Sequence, residues 1–387
     1  MKDALDVVMA WQLRNPSATD SAEAIEAVKK ARESDSELPQ RLASHFLKLT
    51  IPPFFPQTKS TNTFEVSQKP APWKDPHNEF VLGLLGWSIN ALSRKAIEQN
   101  WHLLVPPVLK MLDDTEAVFK AKGCHLLTQL LLILQAGCEG QISATFLSRT
   151  GYHEVFASTL WPLLTYIPSL TPESESVTII QSVYEPLRSL AILSASDDKQ
   201  TKFLDKLMRE GVLAPLSHFP TPSTYPNLAC EIVRQIVEIT VLLGIGSVKH
   251  LASLVSLLTS IMQDPFILSH KQLTLAVVEA LQALVQTCWP RLPAHRGAIT
   301  LGLCVLKGRC DEEGGEEERG EEGSQKRREW VLMRDIREEL KDTAELLDAA
   351  LSQSEVSEDW KKDKTALVDA DERLKGFFEE KEADLDE

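Results

Sequence analysis

Residues 101–134, WHLLVPPVLKMLDDTEAVFKAKGCHLLTQLLLIL, decide the fold. Leu104, Val105, Val108 and Leu112 recur at the three- and four-residue spacing of one helix face, and Phe119, Gly123, Leu127, Leu130/Leu131 and Leu134 mark a second. Between the two stripes lies the punctuation Asp113-Asp114-Thr115. The same plan returns in residues 251–284, LASLVSLLTSIMQDPFILSHKQLTLAVVEALQAL, which align without a gap. Trp101 meets Leu251, Leu104 meets Leu254, Val105 meets Val255, Val108 meets Leu258 and Leu112 meets Met262. Asp114 falls on Asp264, and Val118, Leu127, Leu131 and Leu134 fall on Leu268, Val277, Leu281 and Leu284. Any two amphipathic helices would match along their stripes, so the information lies in the shared Asp and in the identical spacing across it. An apolar helix, an Asp turn, an aliphatic staple and a second apolar helix make a HEAT-type hairpin. The Asp is expected to accept from unpaired amides at the start of the second helix and to complement its dipole.

Working outward, the helical period continues from Asn78 onward. Ile232/Val233, Ile236/Val237, Thr240 and Leu243 form one stripe, and Leu273, Val277, Ala280/Leu281, Leu284 and Cys288 form another. No segment alternates convincingly at period two. The separators Asp197-Asp198, Pro220-Thr221-Pro222 and Trp289-Pro290 are short, so successive helices return antiparallel. A lone hairpin leaves an apolar face uncovered, and stacking covers it. The expected fold is therefore all-α, an α-solenoid of HEAT-like antiparallel helix hairpins.

Two stretches break the pattern. Pro52, Pro53, Pro56, Pro70, Pro72 and Pro76 crowd residues 51–76, which read as an extended proline-rich loop with Phe54-Phe55 and Trp73 as candidate anchors along the solenoid. Acidic residues and glycines fill 311–323, which read as disordered. The expected organisation is N-terminal helices over 1–50, the proline-rich loop over 51–76 and HEAT-like repeats over 77–310. An acidic disordered insertion over 311–328 follows, then C-terminal docking helices with an acidic end over 329–387. The docking stripes run Trp330, Met333, Ile336, Leu340, Ala344, Leu347, Leu351, and then Trp360, Leu367, Leu374 and Phe377/Phe378.

At 43% apolar and 25% charged, the 387-residue chain has globular composition. Acidic and basic residues balance through residue 310, so the whole formal charge of −15 sits in 311–387. A neutral body with an acidic end lacks the basic surface that non-specific nucleic-acid binding or an anionic membrane requires. The first residues carry no basic-then-apolar leader. The apolar run Leu126 to Leu134, broken by Thr128 and Gln129, is far short of a membrane span. Cys124, Cys138, Cys230, Cys288, Cys304 and Cys310 form no Cys-x-x-Cys pair and read as reduced thiols of the cytosol or nucleus.

Motifs for chemistry are incomplete. His77-Asn78-Glu79 has the His-x-Glu spacing of zinc deaminases without the Pro-Cys-x-x-Cys that would complete the metal site. Gly244-Ile245-Gly246 lacks a third glycine and a preceding strand and reads as a helix end. Gly86-Trp87-Ser88 opens like a nucleophile elbow but has Asn90 where glycine is needed. No enzyme activity, cofactor or metal is expected. What remains are aromatic anchors, Trp73, Trp87 and Trp101 among them, whose ordinary use in a solenoid is packing between repeats and whose other use is partner contact. Lys120 and Lys122, just after the Asp turn, can pair with acidic neighbours.

The segment from Pro70-Ala71-Pro72-Trp73-Lys74 through Phe80-Val81-Leu82-Gly83-Leu84-Leu85-Gly86-Trp87 to Trp101 resembles one family. So does its continuation, Val105-Pro106-Pro107-Val108-Leu109-Lys110-Met111-Leu112-Asp113-Asp114 and Phe119-Lys120-Ala121-Lys122-Gly123. The resemblance is to the Tel-two-interacting protein two family, the smallest partner in the TTT complex. It implies a non-enzymatic co-chaperone subunit, cytoplasmic and nuclear, that binds the two larger TTT subunits. Through them it would work with heat-shock protein 90 and its AAA-ATPase adaptor on phosphatidylinositol 3-kinase-related kinases, in TOR signalling, DNA-damage signalling and telomere maintenance. The residues it marks as scaffold or contact positions are Trp73, Trp87, Pro106, Asp113, Asp114, Lys120, Lys122 and Gly123, beside the aromatic anchor Trp101. The alternative is a HEAT-repeat adaptor of another assembly, a transport or phosphatase scaffold.

Overall fold

The computed structural model describes residues 37–56, 71–136, 142–168, 171–219, 221–317 and 324–378. Most of the expected N-terminal helices (1–36), the middle of the proline-rich loop (57–70), part of the acidic insertion (318–323) and the end of the tail (379–387) lie outside them. Among the described residues there is no strand. Helices run in the order α1 (Leu38–His45), α2 (Phe80–Ala91), α3 (Arg94–Gln99), α4 (Trp101–Leu112), α5 (Ala117–Gln135), α6 (Ile142–Thr150), α7 (Tyr152–Leu160) and α8 (Glu173–Ile192). They continue as α9 (Asp197–Lys206), α10 (Ala214–His218), α11 (Pro226–Leu243), α12 (Leu251–Met262), α13 (Lys271–Cys288), α14 (Arg296–Glu317), α15 (Ser324–Ser352) and α16 (Ser357–Ala370). The chain divides into two compact units, one of Met1–Pro162 with Glu185–Ala195 and one of Leu163–Tyr184 with Ser196–Glu387.

The centre of the first unit is the α4–α5 hairpin, with α2 against α5 and α1 against α2. Leu104, Val105, Val108, Met111 and Leu112 of α4 and Leu127, Leu130, Leu131 and Leu134 of α5 are all buried, as the stripes require. The helices cross closely at Gly123, where a β-carbon would lie 2.9 Å from the Leu112 amide nitrogen and 3.1 Å from Met111 Cβ. Only glycine lets the two backbones approach that far.

In the second unit α11, α13 and α15 lie side by side in one layer, and α12 packs on α14 in another. This is the two-layer arrangement of stacked hairpins. The central helix, α13, is buried on most of its circumference, including Leu273, Val277, Ala280, Leu281, Leu284 and Cys288. The internal repeat is visible in the backbone. α4 and α12 are each 12 residues long, and the residues that end them, Asp113 and Gln263, have φ/ψ of −82°/−1° and −83°/−7°. Asp114 Oδ1 accepts from the Glu116 amide and Asp264 Oδ1 from the Phe266 amide, both at 2.9 Å. The Asp therefore folds the turn itself, two residues on, and does not cap the following helix as the sequence implies. An Asp side chain readily closes this local ring. The last carbonyl of the first helix is met by a cation in each case: Lys120 Nζ reaches Leu112 O at 3.1 Å, and Arg309 reaches Met262 O at 2.9 Å.

Other expectations are corrected. The described ends of 51–76 are not extended: Pro52–Phe54 and Pro72–Lys74 are 3₁₀ turns, because a proline at the first position presets the required φ. The acidic stretch is helical to Glu317 and helical again from Ser324. Glutamate is a good helix former, and Lys307–Asp311 (2.5 Å) and Lys271–Glu313 (3.8 Å) pair its first acids. Trp330 is not part of the docking stripe; it is 48% exposed with the Arg334 guanidinium over its ring. The remaining stripe, Met333 to Leu351, is buried. Trp360 is buried too, its indole N–H donating to Asp348 at 2.7 Å and its ring edge-on to Phe378.

Two stretches are apolar and long enough to cross a membrane, Ala117–Gln135 and Pro226–Met262, so the helix around Leu126–Leu134 is longer than that run alone implies. Both form hairpin cores here. The second stretch is not one helix, since Gly244, at φ +53°, ends α11 in a conformation that side-chain-bearing residues rarely adopt.

Two glycines should respond oppositely to alanine. Gly123→Ala must push the α4 and α5 backbones apart and should cost about 1–3 kcal/mol. Gly83 is exposed inside α2, with nothing within 4 Å of a new β-carbon, so Gly83→Ala should stabilise by roughly 0.5–1 kcal/mol. Denaturant unfolding of the full chain measures both; the same sign for both would contradict the packing at Gly123.

In the second unit Asp205 of α9 takes Lys249 at 2.8 Å and His250 Nε2 at 3.0 Å. Burial opposes ionisation of Asp205, but the hydrogen bonds from Lys249 and His250 and their charges outweigh it, and the carboxyl titrates below its ordinary 3.8. A folded pKa below the unfolded one gives stability that is complete above about pH 4 and lost as pH falls through the folded value. Asp205→Asn should therefore lower the melting temperature at pH 6 and converge with the wild type towards pH 3. A melting-temperature gap that persists at pH 3 would show that the charge is not what Asp205 contributes.

Candidate partner-binding hairpin

The described part of the strap, residues 71–78, is built by local rules. Ala71 and Asp75 precede prolines and adopt ψ of 140° and 128°, away from the helical region that a following proline disfavours. Asp75 accepts from the His77 amide at 2.9 Å, and Asn78 Nδ2 donates to Pro72 O at 2.8 Å. These bonds tie two successive 3₁₀ turns together and place Trp73 and Lys74 side by side on the first.

Trp73 is 2% exposed. Its ring stacks on Phe55 at 5.6 Å and 11° and receives Phe119 of α5 edge-on at 4.9 Å and 86°. Offset-stacked and edge-on pairs of this kind are the favoured aromatic geometries. Lys74 Nζ lies 2.8 Å from Asp114 Oδ1, 2.8 Å from Glu116 Oε1, and 4.9 Å over the Phe119 ring. Burial pulls the ammonium's pKa down, yet the hydrogen bonds to Asp114 and Glu116 and their charges more than reverse it, so Lys74 titrates above an ordinary lysine. Lys110 Nζ donates to Pro56 O at 2.5 Å. Both described ends of the proline-rich segment are thus fastened to the same hairpin.

The nine marked residues separate into groups. Trp73, Asp114 and Lys122 meet around Phe119, with Lys122 5.6 Å over its ring and 3.6 Å from Glu79. Lys120 and Gly123 lock the helix crossing. Trp101 sits at the other end of α4, buried, with Phe146, Tyr152 and Phe156 edge-on at 5.2, 5.5 and 6.0 Å. Trp87 is half-buried, edge-on to Phe46. Pro106 and Asp113 are exposed on α4. Thr115, Glu116 and Val118 are exposed at the turn, Val118 by 56%. Lys74, Phe55, Phe119 and Glu116 complete the cluster and carry no periodic signal. The hint that could have found Lys74 is its place directly after Trp73 in a strap facing an acidic turn.

A model of the Tti2 family matches residues 9–269. The chain belongs to the Tti2 family. The match takes in the whole strap and the α4–α5 hairpin and ends just past the second Asp turn, before α13. This Tti2 family chain is also similar to TEL2-interacting protein 2 of Saccharomyces cerevisiae (strain ATCC 204508 / S288c), 28% identical over 229 residues. That alignment covers 57% of this chain and 54% of the yeast protein, so it spans about half of the relative's length. Among the described residues, no group of three or more His, Cys, Asp or Glu is placed to hold a metal ion. The Tti2 hairpin offers instead a rigid edge with charged and apolar side chains exposed on it.

The latch can be taken apart. Trp73→Ala should cost about 3–5 kcal/mol through the cavity it leaves, and Lys74→Met about 1–3 kcal/mol by stranding Asp114. Glu116→Gln, at the exposed end of the pair, should cost under ~1 kcal/mol. Chemical denaturation ranks the three; equal losses for Lys74→Met and Glu116→Gln would mean that Asp114 is not the partner that matters.

Proposed function

We propose that this chain is a non-enzymatic scaffold subunit of a TTT complex. The supporting observation is the Tti2 family match over residues 9–269, and the name of the yeast relative points the same way. The partners in this reading are a Tel2-type protein and the remaining TTT subunit. Beyond them stand heat-shock protein 90 with its AAA-ATPase adaptor, and phosphatidylinositol 3-kinase-related kinases as clients, in the cytoplasm and nucleus. The helix pairs read as HEAT-type repeats. A stack of helical hairpins suits the task, since it offers a long surface on which many modest contacts add up.

The proposed contact edge is the α4–α5 turn with the face of α4 beside it: Pro106, Asp113, Glu116, Val118 and Lys122. These side chains are exposed or half-buried, while the residues beneath them are spent on packing. A pre-fastened edge loses little freedom on binding, which favours affinity. Affinity purification of the tagged full chain from its native cells, read by mass spectrometry, tests the assignment. The two larger TTT subunits should be recovered in near-equal amount. Recovery of a GTPase or a phosphatase catalytic subunit in their place would support a transport or phosphatase adaptor and end the TTT reading.

A further inference from the structure

In the first unit a groove of about 730 Å³ lies open between α1, with the π-helical turn Phe46–Thr50 that continues it, and the corner where α3 meets α4. Its wall on the α1 side is a single stripe, Arg41, His45 and Lys48, each one helical turn from the next. The opposite wall supplies Gln99 and His102. Leu49, 63% exposed, lies beside Lys48 on the lining. The lining holds one carboxylate, Glu37, at the start of the stripe. The nearest acid on α3, Glu98, is held by Arg94 at 3.1 Å. Two fixed cations and two imidazoles therefore face one anion, on a chain whose net charge is −15.

We infer that this groove is a docking site for an acidic peptide segment carrying an aliphatic side chain. The size fits: pockets of roughly 300–1,000 Å³ take small ligands or a few side chains. The spacing fits as well. Cations one helical turn apart are about 5–6 Å from each other, the separation of alternate residues in an extended chain or of successive turns in a helix. A peptide with an acid at each such step meets Arg41, His45 and Lys48 in register, and Leu49 gives its aliphatic residue an apolar contact. Arg41 and Lys48 are exposed rather than buried in pairs, so contact with carboxylates costs little desolvation and shows as a salt-sensitive gain. The inference does not depend on the TTT reading, because it rests on a different face and on charge alone.

The test uses the full chain and a fluorescein-labelled peptide, Glu-Asp-Leu-Asp-Glu-Leu-Asp-Glu, read by fluorescence anisotropy at low salt. Saturable binding is expected, at least ten-fold weaker for the same peptide with amides in place of carboxylates. Arg41→Glu with Lys48→Glu should weaken binding by at least ten-fold. The control pair Lys361→Glu with Lys362→Glu, on the exposed face of α16, should leave it unchanged, with equal melting temperatures throughout. Lys48→Gln with His102→Gln, which spares Arg41, should weaken binding several-fold and guards against a folding defect in the first variant. Equal binding of the amide peptide, equal loss in the control pair, or no saturable binding would overturn the inference. So would tighter binding of an eight-nucleotide oligothymidylate that is lost in the Arg41/Lys48 variant, since the groove would then be a nucleic-acid site.

Discussion

A helix pair can cover only one of its faces with itself, and every larger feature of this molecule follows from how the other face is covered. In the second unit the cover is another helix pair: α13 is flanked by α11 and α15, and its near-complete burial makes that layer the core. In the first unit the α4–α5 hairpin gains part of its cover from a strap with little regular structure of its own. Trp73 and Phe55 supply the apolar area, and Lys74 and Lys110 supply the points of attachment. The same hairpin plan is thus completed in two ways, by a repeat and by a latch.

The latch makes sense of a lysine so close to two carboxylates. An exposed ion pair contributes little, because water and salt screen it. Here Asp114 is 10% and Lys74 17% exposed, and the ammonium also rests on an aromatic face. Charge, hydrogen bonds and ring contact act at one point, and the strap is positioned by it. In the second hairpin the corresponding Asp264 is held by Ser223, while Arg309 ties the carbonyls around it. The turn is preserved and its supporting residues are exchanged.

Much of this was legible in the sequence, for local reasons. The apolar stripes of α4, α5, α11, α13 and α15 follow from a period of 3.6, and the paired Asp residues at the same offset marked the hairpins as repeats. Gly244 as a helix end was legible from its neighbours alone. What escaped reading was non-local or depended on a neighbour's absence. Lys74 and Asp114 are 40 residues apart, and no periodicity links them. Trp330 belongs to the stripe by spacing, yet it stays exposed because no helix packs over the first turns of α15. The acidic run reads as disordered by composition, but Lys307 and Lys271 sit where they can pair with Asp311 and Glu313, and α14 continues. Of the marked site residues, the sequence identified a cluster without revealing that most of its members are spent on holding the strap.

Family membership and geometry meet in one statement about mechanism: this Tti2 chain presents a surface that is already assembled before a partner arrives. Binding energy then goes to contact, and little is lost to ordering. Hydrogen–deuterium exchange on the full chain, free and mixed with its Tel2-type partner, tests that statement most directly. Amides of the strap turns at 74–79 and of the α4–α5 turn should already exchange slowly in the free protein, with further protection on mixing confined to the exposed hairpin edge. Free-chain exchange at unfolded-peptide rates across 74–79, with protection gained only in the complex, would contradict it.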